Sequence, residues 1–351
     1  MIRVGITVGD IHGIGPEIII KALNDKRITE ICTPIIYGNP KLFSFYKKGI
    51  KESDFFYHAI KDVSQAVNGK INLITCWTDE VKFEPGNANA AFGGKAAFLS
   101  LEAATQDILQ GKIDVLVTAP VDKSNIQREG DPNFKGHTEY LGEKTGKKPV
   151  MLMVDQDLKV ALVTGHTALK EVSKSITKEL IIDKINIVRE NLLHDFSIRN
   201  PKIAVLGLNP HNGDDGLFGE EEKNIIVPAI QHFKEQALPV MGPFPSDGFF
   251  ASGSYHKFDA VIAMYHDQGL IPFKLIAGMD GVNFTMNLPF VRVSPDHGTA
   301  FDIAGKGIAN EIGMRNALYA ALDIYKSRAL NKDLSKNALK ILTPEELNKL
   351  K

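Results

Sequence analysis

The chain has 351 residues, 44% of them apolar and 24% charged, and its 41 basic and 42 acidic side chains leave a formal net charge of −1. So balanced a chain offers no field for nucleic acid or an anionic membrane surface, and no apolar stretch approaches the roughly 18 residues that a membrane span needs. Cys32 and Cys76 stand far apart and outside any ligand spacing, so both read as buried thiols in a reducing compartment, and the expected location is the cytoplasm.

A strand is predicted at Val4–Val8, followed directly by a glycine-rich stretch from Gly9 to Glu17 that leads into a helix opened by Pro16. Glycines 9, 13 and 15 lack the G-x-G-x-x-G spacing, so the stretch by itself is weak support for dinucleotide binding. Further apolar runs rich in β-branched residues predict strands at Thr33–Tyr37, Ile71–Thr75, Val115–Thr118, Val150–Val154, Lys159–Thr164, Ile203–Leu208 and Asp259–Met264. Most are continuous, the pattern of strands covered on both faces. Helical stretches lie between them, for example Gly94–Gln110 and Ser175–Leu193. This alternation predicts an α/β fold with a mostly parallel sheet. From Leu330 onward the chain is Lys-rich and helical, with a capping-box start at Thr343-Pro344-Glu345-Glu346 for a last short helix.

Ligands of open α/β sheets gather beyond the carboxyl ends of the strands. Three predicted strands there deliver a histidine each: His166 after Lys159–Thr164, His211 after Ile203–Leu208 and His266 after Asp259–Met264. A single histidine in such a place is more often a hydrogen-bonded structural group, but three at equivalent positions suit a divalent metal with one coordination position open. Zinc is the natural occupant of three imidazoles, and cobalt, nickel or iron would also be accepted. Asp267 follows His266 directly and Asp247 lies in a turn-rich segment, so each is a candidate orienting group or general base, or simply a capping residue. His137 and Thr138 stand at a helix start that would favour an anion, with a plain N-cap as the bland reading of Thr138. Lys274, Asn283 and Arg292 recur at nine-residue intervals and could clamp a carboxylate or phosphate, although Lys274 and Arg292 taken singly read as surface charges. The polar, glycine-rich run from Asp296 to Gly307 is poor core material and reads as backbone that approaches a ligand.

The first glycine loop, together with His297-Gly298-Thr299-Ala300-Phe301-Asp302 and the residues on to Asn310, resembles the isocitrate and isopropylmalate dehydrogenase superfamily. Within it, Thr118 to Lys123, Gly136 to Glu139, Thr164 to Thr167, Asn209 to Gly213 and Tyr265 to Gly269 are similar to the 4-hydroxythreonine-4-phosphate dehydrogenase family. The likeness runs from residue 5 to about residue 310 and departs where the family commonly has Pro-Ala and this chain has Ile11-His12.

The resemblance implies a two-lobed α/β/α fold with mostly parallel sheets and an active-site cleft between the lobes. Residues 1–125 and 290–351 would form the cofactor-side lobe, and 126–289 the metal, substrate and dimerisation lobe. It implies NAD or NADP on His297, Gly298, Thr299, Ala300 and Asp302, and one divalent metal (Zn, Mg or Co) on His166, His211 and His266. A phosphorylated anionic substrate would lie on His137, Thr138, Lys274, Asn283 and Arg292, in a homodimer whose active site sits at the subunit interface. The implied reaction is oxidation of 4-phosphooxy-L-threonine at C3 to 2-amino-3-oxo-4-phosphooxybutanoate, which decarboxylates to 3-amino-2-oxopropyl phosphate for pyridoxal phosphate synthesis. Two alternatives are a D-threonate or D-erythronate 4-phosphate dehydrogenase and, from another class, a metal-dependent hydrolase that needs no nucleotide.

Overall fold

The structure is a computed structural model that describes residues 1–50 and 53–337. Twelve strands form one sheet among these residues: β1 (Ile2–Thr7), β2 (Cys32–Gly38), β3 (His58–Ile60), β4 (Asn72–Thr75), β5 (Val115–Thr118), β6 (Val150–Val154), β7 (Lys159–Leu162), β8 (Ile203–Leu206), β9 (Val240–Phe244), β10 (Ala260–Ala263), β11 (Val282–Met286) and β12 (Val291–Pro295). Their order across the sheet is β3-β4-β2-β1-β5-β12-β11-β6-β7-β10-β8-β9. All eight strands expected from the apolar runs are present, most with shifted ends. Four of these, β2, β5, β8 and β10, are buried along their whole length, as continuous runs require.

Two parallel blocks make up this sheet. The six strands from β3 to β12 run one way. The four from β7 to β9 are parallel among themselves, but β11 and β6 are inserted between the blocks by three successive antiparallel pairings. The second block therefore runs opposite to the first. The strand ends at Thr118 and at Leu162 lie on opposite edges of the sheet, and the ground between them is the face of β12, β11 and β6.

No strand is predicted over β11 and β12, where polar residues interrupt the apolar ones. Both alternate strictly, Val-Asn-Phe-Thr-Met and Val-Arg-Val-Ser-Pro, with apolar side chains on one face and polar ones on the other. Phe284, Met286, Val291 and Val293 pack into the main core with Met314, Ala317 and Leu318 of the helix Ile312–Lys336. Asn283, Thr285, Arg292 and Ser294 are thereby turned to the other face. The polar interruptions are the period-two signal of half-polar strands.

The expected helices occur at Gly93–Leu109 and Lys178–Asp195. The second starts later than expected because Thr177 is its N-cap, its hydroxyl accepting from the Leu180 N–H at 3.1 Å. The predicted helix at Thr343 lies outside the described residues, and no described helix is long and apolar enough to cross a membrane. Cys32 is buried and Cys76 partly so, both are free, and burial pushes each thiol up to about 12.

One buried side chain ties the second block to the loops that follow it. Gln268 accepts from the Met264 N–H (2.6 Å) beyond β10 and donates to the Gly207 carbonyl (2.6 Å) beyond β8 and to the Ser246 hydroxyl (2.7 Å). It thus fixes the loops bearing His266 and His211 to one another. Gln268→Leu keeps the volume but strands a buried N–H and carbonyl, at about 1–3 kcal/mol for each group. The thermal midpoint should fall by several degrees with the secondary structure retained, as circular dichroism would show.

Candidate active site

A cavity of about 750 Å³ lies over the polar face of β12, β11 and β6 and reaches the residues after β5, β7 and β10. At one end is Arg292, whose side chain points from the middle of β12 and is 3% exposed. Its guanidinium donates to Thr118 Oγ1 (3.2 and 2.6 Å) and to Thr285 Oγ1 (2.9 Å), all neutral hydroxyls. Burial pushes it down to about 10, with Glu139 acting the other way. A buried charge held only by hydroxyls is costly unless a counter-charge arrives, and this one opens onto a cavity. It is prepared for an anion, and the planar fork suits a carboxylate or phosphate.

Other unpaired groups gather beside it. His137 opens the helix His137–Thr145 behind its Gly136 N-cap, so Thr138 sits inside the first turn and is not a cap. The His137 ring is held well below its ordinary pKa by burial, by Arg292 and by Lys123, which keeps it neutral. Its Nε2 and the Asn283 Oδ1 are both buried without a partner among the described residues. Such atoms normally find a hydrogen bond, and a ligand in the cavity would supply it. Lys274 donates to the Asp296 carboxylate at 2.8 Å. All five expected substrate residues, His137, Thr138, Lys274, Asn283 and Arg292, line this cavity.

His166 and His266 line its other end, their ring centroids 6.0 Å apart. Asp267 accepts from the His266 Nδ1–H at 2.7 Å, which leaves Nε2 of that ring as the free lone pair. Burial and the nearby Lys123 push His166 down, favouring the neutral ring that a metal needs. Two of the three expected ligands are therefore neighbours. His211 is not among the lining residues: it is exposed on the loop after β8, its ring 6.2 Å from that of Phe218. Among the described residues no three His, Cys, Asp or Glu side chains are grouped closely enough to hold a metal ion. Residues 211, 212, 214 and 215 all have left-handed backbone (φ +45° to +56°), conformations that cost energy and persist where surrounding contacts enforce them. Buried Glu222 anchors the start of this loop, accepting from the Leu208 N–H (2.6 Å) and the Asn209 N–H (2.7 Å).

The run after β12 is irregular and meets the cavity only at its start, Asp296 to Gly298. His297 and Gly298 line the cavity, and His297 Nε2 is buried without a partner, whereas Thr299, Ala300 and Asp302 lie beyond the lining. The first glycine loop, weak as a motif, is what anchors this run. Ile14 N–H donates to the Thr299 carbonyl at 2.9 Å, Glu17 accepts from the Ala309 N–H at 2.8 Å, and Lys21 donates to the Gly307 and Ala309 carbonyls at 2.9 and 2.6 Å. The unusual Ile11-His12 pair bears on local loop geometry: both are fully buried, His12 Nδ1 accepts from the Glu84 N–H and Nε2 donates to the Ala91 carbonyl, each at 3.1 Å. It clips the segment 84–91 in place and does not line the cavity.

Asp247 is exposed in the helix Ser246–Ala251 and is not brought to the cavity, while Asp267 reaches it only through His266. The sequence reading missed Thr118 and Thr285, which carry Arg292, and gave no role to Lys123, Glu139 and Lys184, which also line the cavity. Period-two alternation would have found Thr285, and Thr118, Lys123 and Glu139 fall inside the motifs that carry the family resemblance; Lys184 has no signal in the sequence, because it reaches the cavity from a distant helix.

The model of the family described as "Pyridoxal phosphate biosynthetic protein PdxA" matches residues 30–321. A relative from Bacteroides thetaiotaomicron named 4-hydroxythreonine-4-phosphate dehydrogenase is 46% identical, covering 97% of this chain and 93% of its own. Another, from Oceanobacillus iheyensis, is 40% identical over 92% of this chain and 97% of its own, and its name points to D-threonate 4-phosphate. The solved 4-hydroxythreonine-4-phosphate dehydrogenase from Klebsiella pneumoniae superposes with a TM-score of 0.78 at 34% identity, covering 92% of this chain and 98% of that one. Relatives named as dehydrogenases set the hydrolase alternative aside, and the chain belongs to the PdxA family of pyridoxal phosphate biosynthetic dehydrogenases.

Proposed function

We propose that this protein carries out NAD(P)-dependent and divalent-metal-dependent oxidation of 4-phosphooxy-L-threonine at C3, with loss of CO₂ to give 3-amino-2-oxopropyl phosphate, in the cytoplasm. The observation that carries the reading is the buried Arg292 guanidinium, held only by Thr118 and Thr285 beside the unpartnered His137 and Asn283 atoms. Such a cradle suits an anionic end of a small phosphorylated substrate. Lys274 and Thr138 would complete it, and Asp296 holds the Lys274 ammonium in place at 2.8 Å. Fixing the anionic ends leaves the middle of the substrate facing His166 and His266.

The donor set fits a divalent ion in that the His166 and His266 rings stand side by side at one end of the cavity, with burial favouring the neutral form of the first and Asp267 orienting the second. When bound on these and on His211, the ion would polarise the C3 hydroxyl and the new carbonyl as a Lewis acid, and a nicotinamide cofactor along His297, Gly298, Thr299, Ala300 and Asp302 would take the hydride. Asp267, within hydrogen-bond reach of His266, would act as its orienting group; the exposed Asp247 would need a partner surface over it to serve as a base.

The separation of His211 from the other two favours a site shared between subunits. The elements that bear the three histidines expose large apolar side chains next to them: Leu169 after His166, Leu217 and Phe218 after His211, Ile271 and Leu275 after His266. Exposed apolar side chains of this kind suit a subunit interface, and a twofold pairing would bring the His211 loop of one subunit to the cavity of the other.

NADH formation from 4-phosphooxy-L-threonine, with and without zinc, magnesium or cobalt, tests the reaction. Absence of turnover in every metal would refute it. Arg292→Met should lower kcat/KM by at least about thirtyfold, since truncating one partner of a buried charge pair costs about 2–5 kcal/mol. Arg292→Lys should recover little of this, because a point charge cannot replace the fork. His211→Ala should abolish metal-dependent turnover and leave the fold intact. Refolding His211→Ala together with His266→Ala chains should restore about a quarter of wild-type activity, because half of randomly paired dimers are mixed and each holds one complete shared site. No recovery would place all three ligands in one chain.

A further inference from the structure

We propose that Glu139 selects a substrate bearing an ammonium group beside the reacting hydroxyl, so that the cavity prefers a phosphorylated amino acid to the matching phosphorylated sugar acid. This rests on the function proposed above and names the specificity of that same site.

The argument starts from the charges that line the cavity. Lys274 and Asp296 neutralise each other at 2.8 Å. The remaining cations are Arg292, Lys123 and Lys184, and the remaining anion is Glu139, none of them in an ion pair among the described residues. Three cations against one carboxylate match a ligand with two anionic groups and one ammonium. A sugar acid phosphate carries no cation, so the carboxylate would meet a neutral hydroxyl in place of an ammonium, and its charge would go unbalanced in the cavity.

The position of Glu139 agrees. It is half-buried in the first turn of the helix His137–Thr145. A carboxylate there favours the helix dipole wherever it points, but this one lines the cavity. Gly136 makes its placement possible: its φ is +148°, and a Cβ added there would meet Glu139 Oε2 at 2.8 Å and Lys123 Cε at 3.3 Å and Nζ at 3.5 Å. Without that Cβ, Glu139 and Lys123 flank the Gly136 Cα without closing into an ion pair. Glu139 lines the same cavity as Arg292 and His166 and acts on the charge of both, so it lies within reach of the anion-binding end and of the histidine end. In 4-phosphooxy-threonine the amine-bearing C2 lies between the carboxylate and the reacting C3, so the ammonium occupies the corresponding middle ground.

The test compares wild-type and Glu139→Gln proteins, each with NAD and added metal, on 4-phosphooxy-L-threonine and on D-threonate 4-phosphate, in which a hydroxyl replaces the ammonium. The ratio of the two kcat/KM values cancels any difference in the fraction of folded enzyme. The wild type should favour the amino acid phosphate, and Glu139→Gln should lower that preference by at least about tenfold, the value of a charge-assisted hydrogen bond. Glu139→Asp should restore part of it. Where turnover is too slow, calorimetric Kd values for the two phosphates give the same ratio. An unchanged ratio in Glu139→Gln, equal loss on both substrates, or a wild-type preference for the sugar acid would overturn the inference while leaving the dehydrogenase reading in place. Turnover of neither phosphate by the wild type would bring down that reading and this inference with it.

Discussion

A positive charge without a negative partner sits in the middle of the sheet, and the cavity is arranged around it. Arg292 is 3% exposed and bonded only to the hydroxyls of Thr118 and Thr285. An isolated guanidinium in such a place would be disfavoured, which is why burial pushes it down to about 10. Two threonine oxygens on neighbouring strands satisfy its donors without neutralising it. The charge is left for a ligand.

This arrangement depends on the topology. Because β11 and β6 reverse the direction of the second block, the carboxyl ends of the two blocks lie on opposite edges, and the sheet between them has one polar face. A ligand on that face can reach the Thr118 side with one end and His166 and His266 with its middle. In a sheet of one direction the same residues would crowd a single edge. The support is equally distributed: Gln268 joins the loops after β8 and β10, while Glu17, Lys21 and Ile14 hold the loop after β12. Groups far apart in the chain thus restrain each wall of the cavity separately, which gives the preorganisation that oxidation chemistry demands.

Much of this was legible in the residues. Continuous apolar runs located eight strands because strands covered on both faces need apolar side chains throughout. The histidines at 166, 211 and 266 stood out because each directly followed such a run, and the register of β7, β10 and β8 as parallel neighbours puts them on one edge. Half-polar strands were harder. β11 and β12 alternate, and the residues that break their apolar pattern, Asn283 and Arg292, are those that face the cavity.

Local pattern and motif carry the α/β class, the strand-end histidines, the candidate substrate residues from His137 to Arg292 and the family to which the chain belongs. Which of them meet follows from the packing of strands remote in the chain. The tertiary structure showed Arg292 to be buried without a counter-charge, separated His211 from His166 and His266, left Asp247 exposed, and brought Lys123 and Glu139 to either side of Gly136. The reason is physical: residue type and spacing fix the period of an element and the chemistry it can carry, whereas burial, electrostatic environment and distance arise when strands remote in the chain are paired, and the reversal at β11 and β6 set that pairing here.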